Sequence, residues 1–134
     1  MKSLIITCLV CFSVSLFAQS TATTGFVEHW TKIYQLDDNQ QKKAQAIEVR
    51  RQNQLAEIAS LKAADPKLYR QKREAIHKGA KAGLKFILRS DQRELFKQQE
   101  KELRVKRANK MKELKGTATP DQMQDALIDV NATF

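Results

Sequence analysis

The sequence predicts an all-α protein. Between Lys42 and Lys115 proline occurs only as Pro66 and glycine only as Gly79 and Gly83, so almost nothing interrupts a helix there. Gln, Lys, Arg, Ala, Leu and Glu, all good helix formers, dominate the same stretch. Apolar residues recur at steps of three and four, the helical period. A short first helix is expected from about Gly25 to Gln35, with Phe26, Trp30, Ile33 and Tyr34 as its apolar stripe. The second runs from about Asp38 to Lys62, with Ala44, Ile47, Leu55, Ile58 and Leu61 on one side. Asp65-Pro66 ends it, because the residue before proline is pushed out of the helical region. The third begins with Pro66, which the first turn tolerates, and reaches about Leu88. Tyr69, Ile76, Ala80, Gly83 and Ile87 form its apolar face; Lys78, Lys81, Lys85 and Arg89 lie opposite. Gly79 and Gly83, four apart, mark either a close helix crossing or a bend. The fourth spans about Ser90 to Leu114 with sparse apolar positions at Leu95, Phe96, Leu103, Met111 and Leu114, and Gly116 as its stop. It is roughly 37 Å long at 1.5 Å per residue. So thin a stripe on so long a helix leaves little shared core, which points to a homodimer.

The chain of 134 residues divides by composition into three parts. Residues 1–18 have the pattern of a cleaved secretory signal peptide: Lys2, an apolar run from Leu4 to Phe17, and Ala18 at the expected cut. Cys8 and Cys11 fall inside it, so the mature chain has neither a disulfide nor a thiol nucleophile. The helical domain occupies 19–115, and 116–134 is expected to be a flexible tail with a possible short helix. From Lys42 to Lys115, 22 Lys and Arg stand against 9 Asp and Glu, an excess of 13 positive charges, while both flanks are mildly acidic. Such a block attracts acidic partners and would ordinarily raise nucleic acid, but export argues against it.

Two segments resemble each other. Leu36-Asp37-Asp38-Asn39-Gln40 opens the second helix, and Leu88-Arg89-Ser90-Asp91-Gln92 opens the fourth, 52 residues later. A weaker third copy is Ala118-Thr119-Pro120-Asp121-Gln122, starting a tail helix to about Asp129. In each, the Gln stands three residues after a candidate cap, the capping-box spacing. Asp37 and Thr119 can accept from first-turn N–H groups, while Gln40 and Gln122 reach back. Arg89 cannot accept a hydrogen bond, so Ser90 is the expected cap of the fourth helix.

With those paired segments, the stretch from Phe26 to Leu114 resembles the LTxxQ-motif family of periplasmic helical proteins, the Spy/CpxP-like group. Asp37 and Arg89 replace the family's threonine. The resemblance implies an antiparallel, cradle-shaped homodimer of bent helical hairpins. It also implies one of three roles: ATP-independent binding of unfolded envelope proteins, binding to the sensor domain of an envelope-stress kinase, or binding of transition metals.

The residues favour client binding independently, because loose basic and apolar surface gives adaptable contacts. Candidate contact residues are Arg51, Lys78, Lys81, Lys85, Phe86 and Arg89, and unfolded or acidic envelope proteins are the expected partners. No enzyme is expected: there is no glycine-rich phosphate loop, and His29 and His77 have no nucleophile and acid arranged around them. No cofactor is expected. His29 beside Glu28, and His77 three residues after Glu74, lack the two-histidine spacing that would argue for a metal. Basic amphipathic helices can also bind anionic lipid, but these stripes lack regularly placed large aromatics. No membrane-spanning segment is expected after cleavage.

Overall fold

Three helix starts are set by side-chain caps, at Asp37, Asp65 and Thr119. In the computed structural model, which describes residues 25–133, α1 covers 25–34. It is followed by α2 (Asp38–Glu57), α3 (Leu61–Ala64), α4 (Pro66–Ile87), α5 (Ser90–Leu114) and α6 (Pro120–Ala132). The fold is all-α. The signal peptide expected at 1–18 lies outside the described residues.

The expected second helix is two. After Glu57 the hydrogen bonds shorten to three-residue steps, Ala59 N–H to the Ala56 carbonyl, Leu61 to Ile58 and Lys62 to Ala59. That tighter turn redirects the chain while keeping Ile58 buried, and α3 then packs on α4. Asp65 ends α3 and caps α4 at once, its carboxylate accepting from the Leu68 N–H at 3.0 Å with Pro66 at the first helical position.

The tail is also different from expectation. α6 is not a flexible appendage: it packs against both α4 and α5, with Ile128 only 2 % exposed. Gly116, at φ +86, supplies the left-handed residue that stops α5 and turns the chain back. The domain therefore extends to α6 rather than ending at residue 115.

Val27, Trp30, Tyr34, Leu36, Ala44, Leu84, Leu88 and Phe96 form the main core, drawn from α1, α2, α4 and α5 and their connections. Phe26 and Trp30 meet edge to face at 6.0 Å, and Tyr34 lies 6.2 Å from Phe96. No helix among the described residues is long and apolar enough to cross a membrane.

The two glycines of α4 do different things. A Cβ on Gly83 would lie 3.3 Å from Cδ1 and Cγ1 of Ile47, so α2 and α4 cross closely there. A Cβ on Gly79 would meet nothing within 4 Å. Gly79→Ala is therefore expected to raise stability by about 0.5–1 kcal/mol, the helix-propensity difference. Gly83→Ala should gain less or lose, because Ile47 must move. Urea denaturation of the two variants checks the contrast, and an equal gain at both positions would remove the close-crossing account.

Candidate functional site

The two strongest motif copies meet. Gln40 and Gln92 both open helices, and their amides bond reciprocally: Gln40 Nε2 donates to Gln92 Oε1 at 2.7 Å and Gln92 Nε2 donates to Gln40 Oε1 at 3.1 Å. Gln40 Nε2 also donates to the Ile87 carbonyl at 2.8 Å, and Gln92 Nε2 to the carbonyls of Tyr34 and Gln35 at 2.9 and 3.2 Å. Their oxygens still accept the capping bonds, from Asp37 N–H at 3.1 Å and from Arg89 N–H at 2.9 Å. One amide pair thus closes two capping boxes and joins the ends of α1 and α4 to the starts of α2 and α5. Leu36 and Leu88, the motif leucines, are buried beside it.

Arg89, not Ser90, is the N-cap of α5. Its guanidinium has no acceptor for a first-turn N–H, so only the return half of that box forms. Instead, Arg89 Nη1 donates to Asp37 Oδ2 at 3.0 Å and Gln40 Oε1 at 3.1 Å. Asp37 and Arg89, which hold the same place in the two copies, are thus each other's partners. The third copy is a complete box, Thr119 Oγ1 accepting from Gln122 N–H at 3.2 Å and Gln122 Oε1 from Thr119 N–H at 2.9 Å, but it stands alone and exposed.

The basic stripe of α4 is largely occupied. Lys78 pairs with Glu74 at 2.9 Å and Lys81 with Glu100 of α5 at 3.0 Å. Lys81 and Lys85 both sit 5.9 Å from the centre of the Phe96 ring. Lys81 and Lys85 thus roof the core toward α5, which places them apart from a fully solvated face. Arg51 neither crosses an interface nor extends to water: it holds the fully buried Glu48, Nε to Oε2 at 2.7 Å and Nη2 to Oε1 at 2.6 Å, and lies 4.5 Å above the Phe26 ring.

The open surface lies elsewhere. Between α2 and α4 runs a shallow groove of about 500 Å³ lined by Ala46, Ile47, Ala75, Ile76, Gly79 and Gly83 along its floor, with Arg50 and Gln54 among its borders. Phe86 is 84 % exposed and follows Gly79 and Gly83 at seven and three residues, on the same side of α4. Of the predicted contact residues, Arg51 lines this groove, and Phe86 lies beyond its lining on the same side of α4. Sequence reasoning had the glycines but not the groove they open, and it passed over Arg50; the signal was the run of Ala and Gly on α4 opposite Ala46.

His77 is 9 % exposed, beneath α1 and the end of α6. Burial, then the guanidiniums of Arg51 and Arg73, push its pKa down to about 4, against a smaller opposing pull from Asp129. Burial, aided by the charge of Glu100, raises the Tyr34 hydroxyl to about 12. His29 is exposed, and Glu74 is turned to Lys78. No group of three or more His, Cys, Asp and Glu among the described residues could hold a metal ion.

Comparison of the chain with protein-family models, curated proteins and solved structures finds no match.

Gln92→Glu places a carboxylate oxygen against three carbonyl-type acceptors, so it is expected to cost about 3 kcal/mol or more at neutral pH. Chemical denaturation measures it, and a loss below about 1 kcal/mol would show that the amide pair does not hold the junction. His77 gives a pH signature. In the unfolded chain it titrates near the ordinary histidine value of 6.5, and in the folded chain at about 4, so between these values the unfolded chain binds more protons. Its contribution is fully present above pH 6.5 and is lost as pH falls toward 4, on the order of 3 kcal/mol in all. Stability of wild type and His77→Gln, compared at about pH 7.5 and pH 4.5, should show the variant with the shallower acid loss; parallel losses would contradict a buried neutral His77.

Proposed function

We propose that this chain is an exported, periplasmic, ATP-independent chaperone-like protein of the LTxxQ type, binding unfolded or aggregation-prone envelope proteins and acting as a homodimer. The observation that carries this reading is the groove between α2 and α4. Its floor combines small residues with Ile47 and Ile76, its border offers Arg50, and Phe86 exposes further apolar surface on the same side of α4. Such a surface supports many weak contacts and no single tight one. Binding rather than catalysis suits it, because the buried titratable side chains of the core, Glu48 and His77, are bonded or enclosed and hold the fold. Val49, Val105 and Met111 leave further apolar surface that a second copy would cover. Paired Gln40 and Gln92 support the family reading, since they give the repeated motif a structural purpose.

The reading is tested by aggregation suppression with several unrelated unfolded substrates and no nucleotide. Wild type is expected to suppress all of them. Gly79→Leu, which fills the groove where a side chain meets nothing, and Phe86→Ala should each weaken suppression at least threefold, on the order of 0.7 kcal/mol of binding, with helicity unchanged. Charge reversal of Lys81 is a poor probe, because it would set two carboxylates together at Glu100. If no substrate is protected and a single envelope protein is captured instead, the protein is a kinase-sensor regulator of the CpxP-like kind and the chaperone reading fails.

A further inference from the structure

α6 has the charge opposite to the surface it lies on. After Lys115 the chain contains no Lys or Arg, and its acidic residues are Asp121, Asp125 and Asp129, spaced four apart on one helix face. All three meet α4. Arg70 Nη2 lies 2.8 Å from Asp121 and Nη1 lies 3.7 Å from Asp125, while Arg73 pairs with Asp129. Arg70 is only 8 % exposed, and its buried Nε has no hydrogen-bond partner. Beside it a cleft of about 490 Å³ is lined by Lys62, Tyr69, Arg70 and Arg73 together with Asp125 and Asp129.

This is an incompletely matched contact. The three carboxylates remain between 45 % and 69 % exposed, so their ion pairs are screened by solvent and contribute little. Among the residues of α6, only Ile128 is buried. α6 nevertheless packs between α4 and α5, and it is joined to α5 through Gly116. Its complete capping box satisfies its first-turn N–H groups within the segment itself.

We propose that α6 is a resident ligand: the surface of α4 and α5 that α6 covers is a receptor for acidic amphipathic helices, and α6 occupies it until a partner protein's acidic helix displaces it. The recognition chemistry is carboxylates at four-residue spacing for Arg70 and Arg73, with one aliphatic side chain buried as Ile128 is. Tethering holds α6 in place by a high local concentration, so a stronger free helix is needed to displace it. The claim is independent of client binding in the α2–α4 groove, and loss of aggregation suppression would leave it untouched.

The test uses the full chain and a fluorescent peptide of residues 117–133. Asp121→Asn/Asp125→Asn/Asp129→Asn keeps the shape of α6 while removing its charge, and should bind the peptide at least tenfold tighter than wild type does. Adding Arg70→Gln and Arg73→Gln should abolish that binding, as should replacing the peptide's three aspartates with lysine. Equal binding by wild type and the Asn variant overturns the proposal. If the variant proves misfolded, hydrogen exchange on the wild type decides: α6 amides are expected to exchange as a unit well before those of α4, and exchange of both only by global unfolding overturns it. Dimerisation of wild type that excess peptide reverses would assign this surface to a second copy's α6 and overturn the assignment to a different partner.

Discussion

The structure depends on one pair of side-chain amides. Gln40 and Gln92 lie 6 % and 2 % exposed, and every polar atom of both is used. Buried amides are costly unless fully bonded, and once fully bonded they specify a unique arrangement. Here four chain ends converge on them: the carbonyls of Tyr34, Gln35 and Ile87, and the N–H groups of Asp37 and Arg89. These are the helix-terminal groups that intrahelical bonding leaves over. Gln35 takes a left-handed φ of 52 to present its carbonyl, a conformation uncommon for a residue with a side chain. The core of aromatic and aliphatic residues then assembles around this junction rather than along the helices.

The same junction explains how the two helix starts tolerate unusual residues. Arginine is a poor N-cap because it only donates, and aspartate is a good one. Placed 52 residues apart, they become neighbours when the glutamines pair, and Arg89 meets Asp37 across the junction. The pair is half exposed and contributes at most about 1 kcal/mol. That is comparable to the cap that α5 forgoes, so the exchange is near neutral. Neither residue makes sense alone, which is why the one-dimensional reading placed the cap at Ser90.

Legibility followed the range of the interaction. Features set within one helical turn were readable: the caps at Asp37 and Thr119, Pro66 at a helix start, the stop at Gly116. The turn at Ile58 to Ser60 was not, because alanines and a serine there are compatible with helix and only burial of Ile58 selects the tighter path. Docking of α6 was invisible for a related reason. Its aspartates and Ile128 look like a solvated tail until Arg70 and Arg73 are brought beside the aspartates and Ile128 is buried. Arg51 reads in sequence as a contact residue although its partner Glu48 stands three residues away, because a buried ion pair on one helix resembles any exposed pair in sequence.

Charge also reads differently once folded. An excess of 13 positive charges in one block suggests a continuous cationic surface, yet in the folded chain many of these basic side chains are paired. Arg51 neutralises Glu48, Lys81 holds Glu100, Arg89 holds Asp37, and Arg70 and Arg73 hold the aspartates of α6. What remains available sits mainly on exposed positions such as Arg50, beside the small-residue groove. The consequence is a division of labour by face. Lys81 and Lys85 turn their charge to Phe96 and keep the thin core covered, while Gly79 leaves open space on the other side and Gly83 lets α2 approach. With this little apolar area, α4 covers the core with one face and leaves the other partly uncovered, because its cations and its glycines point in different directions.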